Sequence, residues 1–209
     1  MALIVKETNG GGGDYTPVPE GTHQAICNMV VDLGLQETNF QGKVANKRQC
    51  YIRWELPTER IEYVDKKSGE TVSGPMLIGK LYTLSLHEKA TLRHDLESWR
   101  GRAFTATELQ SGFDLFKLAG QACQVVVTHV TRNDRLWANV TSIAGWPKGL
   151  KRPKATETGL LLYSPDEPEH LPDLPQWIKD KLDKRIQETA AAPAAPPAAD
   201  DDLEDSIPF

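Results

Sequence analysis

Five strand-like stretches, interrupted once by a helical period, are what most limits the folds open to this chain. The clearest stretch is Arg48 to Leu56, where Cys50, Ile52, Trp54 and Leu56 fall on one face and Tyr51, Arg53 and Glu55 on the other. Before it, Gly21 to Gln36 reads as a long first strand, with Gly34 marking a bulge or sharp bend. Met76 to Leu84 reads as a third strand. Gln121 to Thr131, rich in β-branched residues, and Leu136 to Ile143 read as the last two, joined by a tight turn at Asn133-Asp134. Between the third and fourth strands, Ala90, Leu92, Leu96 and Trp99 recur at near-helical spacing. Ser85 with Glu88 three residues on predicts a capping box at the helix start, and Gly101 predicts its end. A shorter helical segment is expected over Phe113 to Leu118.

Strand, strand, strand, helix, strand, strand is the order of the OB-fold. The expectation is therefore a mainly β domain: a five-stranded Greek-key barrel with a helix between strands 3 and 4. A long, bent first strand suits it, because closing a small barrel requires one strand to pair on both sides. Glu37 to Lys47, polar and holding Gly42, reads as a loop, and Pro57 to Pro75 as a long hairpin connection. An unrelated small α+β barrel is the other architecture compatible with this order. No GxGxxG or other nucleotide-phosphate loop occurs.

Residues 1–19, with the run Gly10 to Gly13, read as a flexible arm, and residues 20–154 as the barrel. Residues 155–188 form an acidic, proline-rich extension with a short helix opened by Pro175. Its stripe of Ile178, Leu182 and Ile186 either packs on the barrel or mediates self-association into a homo-oligomer. Residues 189–199 are only Thr, Ala and Pro, an extended linker that cannot build a core. The charge follows the same division. Residues 1–154 hold 20 Lys/Arg and 16 Asp/Glu, and residues 155–209 hold 4 and 13, so a +4 body carries a −9 end. That asymmetry suggests a nucleic-acid-binding body with an acidic, disordered tail.

Several classes are disfavoured. No apolar run approaches the roughly 20 residues of a membrane span, and MALIVKETNGGGG lacks the apolar stretch of a signal peptide. Cys27, Cys50 and Cys123 are widely spaced with no CxxC pair, which argues against a disulfide framework and a zinc site and favours a reducing cytoplasm. His23, His87, His94, His129 and His170 are scattered. No metal, no cofactor and no enzymatic activity are expected.

Single-stranded DNA asks a protein for cations along the phosphates and aromatic faces for unpaired bases. The second strand offers Tyr51 and Arg53 on its less apolar face, and the third offers Lys80 and Tyr82 two apart. Phe40, Lys43, Lys47 and Arg48 lie in or beside the first loop, while Arg132 and Arg135 flank the last turn, with Trp137 following. Tyr82 is equally suited to barrel packing. Trp54 reads as core, and Trp99, Phe113 and Phe116 as packing residues of helical segments. The last ten residues, DDDLEDSIPF, join a charge lure to an apolar anchor and a terminal carboxylate, the form in which a disordered segment offers itself to a basic pocket on a partner.

Two resemblances bear on this. Asp200, Asp201, Asp202, Asp205, Ile207, Pro208 and Phe209 resemble the Asp-rich, Ile-Pro-Phe tip of bacterial single-stranded DNA-binding proteins, with Leu203, Glu204 and Ser206 inserted. The stretch YTLSLHEKATLRHDLESWRGRAFTATEL, Tyr82 to Leu109, is similar to a segment of phage- and plasmid-encoded single-stranded DNA-binding proteins, a likeness running from about Pro19 to Lys151. The resemblances imply an OB-fold protein of a bacterial host's cytoplasm that coats single-stranded DNA in replication, recombination or repair. The tip is then expected to dock host or phage replication and repair proteins. An adaptor or inhibitor that occupies such enzymes through its tip without coating DNA is the rival reading, and a nuclease a third.

Overall fold

The computed structural model describes residues 16–40, 42–64, 69–153 and 156–187. Most of the expected arm, the 189–199 linker and the 200–209 tip, with Asp200, Asp201, Asp202, Asp205, Ile207, Pro208 and Phe209, lie outside the described residues.

The fold is mainly β. Five strands, β1 (Gly21–Phe40), β2 (Lys43–Val64), β3 (Thr71–Thr83), β4 (Ala122–Arg132) and β5 (Arg135–Gly145), form one antiparallel path in the order β3-β2-β1-β4-β5. β1 is shared: Gly21 to Ile26 pair with β4, and Ile26 to Phe40 pair with β2. Register shifts between Cys27 and Met29 and between Asp32 and Gly34 bend it, and Gly34 sits at φ +69°, where a side chain would be strained. Asn133 and Asp134 both adopt positive φ, the requirement of a two-residue turn whose twist matches the strands it joins.

β1, β2 and β3 run longer than their alternation suggested. The predicted loop 37–47 is a two-stranded ribbon, held by Thr38 Oγ1 donating to the Ala45 carbonyl and Gly42 N–H donating to Asn39 Oδ1. The 57–75 connection is a second ribbon, with a register shift at Pro57, which cannot donate to the ladder. Among the described residues none of 42–46, 57–64 or 69–73 is buried, so no dry apolar face announces these ribbons.

Helix α1 (Thr91–Arg100) lies between β3 and β4 in sequence and buries Leu92, Leu96 and Trp99. The Ser85–Glu88 capping box does not form. Ser85 Oγ instead accepts from the His87 N–H, and α1 starts after Ala90 with no side-chain cap, because Leu92 and Leu96 decide where the turn can meet the core. The capping box belongs to a helix the alternation did not reveal, α2 (Ala106–Ser111). There Thr105 accepts from Glu108 N–H and Glu108 accepts from Thr105 N–H. The expected segment at Phe113 to Leu118 is a single 3-10 turn over Leu115–Leu118.

Two apolar clusters lie on opposite sides of the β1–β2 sheet. The larger gathers Val30, Cys50, Ile52, Trp54, Val125, Val140 and the buried face of α1. Trp54 and Trp99 pack at 6.0 Å, as expected of core aromatics. The smaller joins Met29, Val31 and Leu33 to Tyr163, Leu174, Ile178 and Leu182 from the extension. Strand β6 (Leu161–Tyr163) pairs parallel with Met29 to Val31, and helix α3 (Gln176–Asp183) buries Ile178 and Leu182 there. Of the two roles open to the Ile178 stripe, packing on the sheet is the one observed. Ile186 is not helical but donates its N–H to the Leu35 carbonyl.

Candidate nucleic-acid interface

The predicted binding residues fall into three environments. The first is the 37–47 ribbon together with the β4–β5 hairpin. Lys43 opens β2 opposite Phe40, Lys47 faces Gln36, and Arg48 faces Leu35. Arg48 Nη2 lies 3.0 Å from Asp32 Oδ2 while nearly half of its side chain stays in solvent. At the β4–β5 hairpin, Arg132 stands directly opposite Arg135 across the Asn133–Asp134 turn. Like charges opposite one another weaken a hairpin. Trp137, paired with Val130, is 39% exposed, unusually open for so large an aromatic.

The second environment is interior. Ile52 pairs with Lys80 and Cys50 with Tyr82, so Lys80 and Tyr82 share a face as predicted, but it is the core face. Tyr82 is 1% exposed, and its hydroxyl donates to Asp95 Oδ2 at 2.8 Å. Lys80 Nζ donates to the same oxygen at 2.8 Å. Burial first, then the Asp95 charge, pushes the Tyr82 phenol well above its usual range. Both residues are corrected from strand-facing groups to a polar strut between β3 and α1. A core phenol must find an acceptor, and Asp95 supplies it.

The third environment is the less apolar face of β2, which the extension covers. The Tyr51 ring meets Trp177 of α3 edge-on at 4.8 Å and lies over Gly79, where a β-carbon would sit 2.1 Å from its hydroxyl. Arg53 Nε donates to Asn28 Oδ1 at 3.2 Å, and burial pulls its guanidinium below the usual value. Glu55, the third member of the face, is 1% exposed. It accepts from the Glu157 N–H at 2.8 Å, the Thr158 N–H at 2.9 Å and the Thr158 hydroxyl at 2.6 Å. Asn28 Nδ2 donates to that hydroxyl oxygen at 2.7 Å, and Arg60 pairs with Glu157 at 2.8 Å. Glu55 is thus a clamp on the start of the extension.

A second cation cluster escaped the sequence reading. Arg100 at the end of α1, Arg102 after it and Glu108 of α2 form one group: Glu108 takes Arg100 Nη2, and both Arg102 terminal nitrogens at 2.7 and 2.8 Å. The Arg102 bonds, then the Thr105 N–H and Arg100, hold the Glu108 carboxyl well below the usual carboxylate range. The Arg100 guanidinium lies 4.2 Å over Phe104 and 5.1 Å from the Phe113 ring centre. The only sequence signals were two arginines flanking the helix-ending Gly101 and the basic run after Trp146.

Among the described residues there is no group of three His, Cys, Asp or Glu able to hold a metal, and no helix long and apolar enough to cross a membrane. Compared with known proteins, the chain matches no family model, and no curated protein matches it.

Proposed function

We propose that this chain binds single-stranded DNA without sequence preference, coats it during replication, recombination or repair, and recruits partner proteins through its acidic tip. The observation that carries the reading is the β4–β5 hairpin. It sets Arg132 against Arg135 beside an exposed Trp137, an arrangement unfavourable for the fold alone and suited to a ligand with both phosphates and unstacked bases. Lys43, Lys47 and Arg48 on or beside the 37–47 ribbon extend the same chemistry. An OB-fold reading is supported by the shared β1, by the approach of β3 to β5, and by the helix between β3 and β4. In this reading the protein acts in the cytoplasm of a bacterial host, and the partner of Asp200 to Phe209 offers a basic rim and an apolar pocket for Phe209.

The test is a titration of labelled oligo(dT) against rising salt. Five phosphate contacts, from Lys43, Lys47, Arg48, Arg132 and Arg135, give a slope of log affinity on log salt of roughly −3.5, at about −0.7 per contact. Replacing Arg132 and Arg135 by Gln should flatten it by about 1.4. Absence of binding at low salt overturns the reading in favour of the adaptor, which the covering of Tyr51 and Arg53 by the extension independently favours. Divalent-dependent loss of the oligonucleotide would point to a nuclease.

A further inference from the structure

The end of α1, the 3-10 turn and the chain after β5 border a solvent-open cavity of about 360 Å³ lined by Trp99, Arg100, Phe113, Lys117, Trp146 and Arg152. Its chemistry is specific. Arg100 is pinned through Nη2 by Glu108, yet its Nη1 is buried with no hydrogen-bond partner among the described residues. Nη1 is sheltered beside the Phe104 and Phe113 rings, but a cationic N–H without an acceptor is unfavourable, and an anionic oxygen to which the guanidinium turned would supply one. Lys117 and Arg152 have no ion-pair partner among the described residues, and Arg102 also lines the space. Against these four cations stands the single carboxylate of Glu108, which leaves three positive charges.

The walls are aromatic. The Trp146 indole N–H is committed to the Leu150 carbonyl at 3.0 Å and that of Trp99 to the Ala122 carbonyl at 3.2 Å, so these rings have no N–H left for a ligand and offer it apolar surface. The volume falls in the roughly 300–1,000 Å³ range of small-molecule sites and suits one nucleotide, not a length of strand. An internal phosphodiester carries one charge, whereas a terminal phosphate monoester carries about −1.5 to −2 at pH 7, the better match to a threefold excess of cations. We infer that this cavity takes the phosphorylated terminal nucleotide of a DNA strand, its phosphate on Arg100, Lys117 and Arg152 and its base against the aromatic walls. The strand as the source of that nucleotide rests on the proposed DNA binding; the phosphate-and-base chemistry of the cavity does not.

The experiment uses the full chain in two arms. In the first, tryptophan fluorescence is titrated with thymidine 5′-monophosphate, thymidine, inorganic phosphate and a peptide of residues 200–209. Saturable quenching by the monophosphate, at least tenfold tighter than by thymidine or phosphate, is expected. In the second, oligo(dT) bearing a 5′-phosphate, a 3′-phosphate or only hydroxyl ends is compared. One phosphorylated form should bind at least tenfold tighter. The exposed pair Lys117→Gln and Arg152→Gln should erase that advantage and leave hydroxyl-ended binding unchanged. Quenching by the peptide but not the monophosphate would overturn the inference and assign the cavity to an acidic segment. Equal affinity for all three oligonucleotides would overturn the terminal nucleotide. If the monophosphate quenches while no oligonucleotide binds, it is the DNA-binding reading that fails, and the cavity is a mononucleotide site.

Discussion

Replacing Glu55 by Gln tests whether a buried carboxylate ties the extension to the sheet. The substitution keeps the shape and removes the charge. Wild-type Glu55 accepts three hydrogen bonds, one from Glu157 and two from Thr158. The best the amide can do is turn its oxygen to Thr158 and set its NH2 against the Glu157 N–H. One charge-assisted bond, worth about 1.5–3 kcal/mol, is then lost, and the other two fall to neutral strength, roughly half. The local loss is about 3–6 kcal/mol, a hundredfold or more in the opening equilibrium. It should not free the whole extension. Tyr163, Leu174, Ile178 and Leu182 remain buried and hold residues 161–183 at about 1.5–3 kcal/mol each. Hydrogen exchange followed by residue should therefore show the Glu157 and Thr158 amides losing at least a hundredfold protection. The Ile186 amide, bonded to the Leu35 carbonyl at 2.8 Å, should keep its own. Unchanged protection at 157 and 158 would refute the clamp. Equal loss at Ile186 would show that the extension detaches as one unit and that the cluster beneath it contributes little.

Trp137→Ala should weaken oligo(dT) binding by about 10- to 100-fold, the worth of one stacked base at about 1–3 kcal/mol, measured at a temperature well below the melting point of the variant; unchanged affinity would remove Trp137 from the interface. Acidification should loosen the α1–α2 corner. The Glu108 and Glu97 carboxyls are held low, Glu108 first by Arg102 and Glu97 first by the Phe104 N–H, so their stabilisation is present above the unfolded value near 4.3 and is lost as pH falls toward the folded values. The gap in melting temperature between wild type and Glu108→Gln should therefore begin to narrow below about pH 4.5 and still be narrowing at pH 3, and parallel profiles would contradict the assignment. Burial pushes the Cys27 thiol up to about 12 and raises Cys50 and Cys123 as well, so iodoacetamide at pH 8 should label no cysteine in the native protein and all three in denaturant. Labelling of Cys27 under native conditions would mean that β1 opens readily.

What could be read from the sequence was whatever has one dry face and one wet face. Cys50, Ile52, Trp54 and Leu56 alternate because the main core takes every second residue, and all four are buried as expected. The 37–47 ribbon has no such asymmetry. With Lys43, Val44, Ala45 and Asn46 all in solvent, its period of two has no apolar marker. Lys80 and Tyr82 were put correctly on one face, but which face depends on their pairing with Ile52 and Cys50 and on an acceptor fifteen residues away, Asp95. Ser85-x-x-Glu88 and Thr105-x-x-Glu108 are the same pattern, and only packing of Leu92 and Leu96 separates the one that caps a helix from the one that does not. Glu55 was the hardest to read. A strand carboxylate looks alike whether it faces water or the backbone of a segment a hundred residues on.

The covered face of β2 decides between two ways of holding a strand. For Tyr51 to stack on a base, α3 and its Trp177 must leave, and with them the burial of Tyr163, Leu174, Ile178 and Leu182. At about 1.5–3 kcal/mol for each side chain, that removal costs roughly 6–12 kcal/mol. One stacked base returns about 1–3 kcal/mol, and the partly buried Arg53 adds one phosphate contact. The exchange is unfavourable by several kcal/mol. The ribbon route requires no such rearrangement: Lys43, Arg48, Arg135 and Trp137 already stand in solvent on paired backbone. If the protein binds a strand as proposed, the 37–47 ribbon and the β4–β5 hairpin are therefore favoured over the β2 face. Removing the extension should add affinity through Tyr51 and Arg53 without diminishing what the ribbons supply.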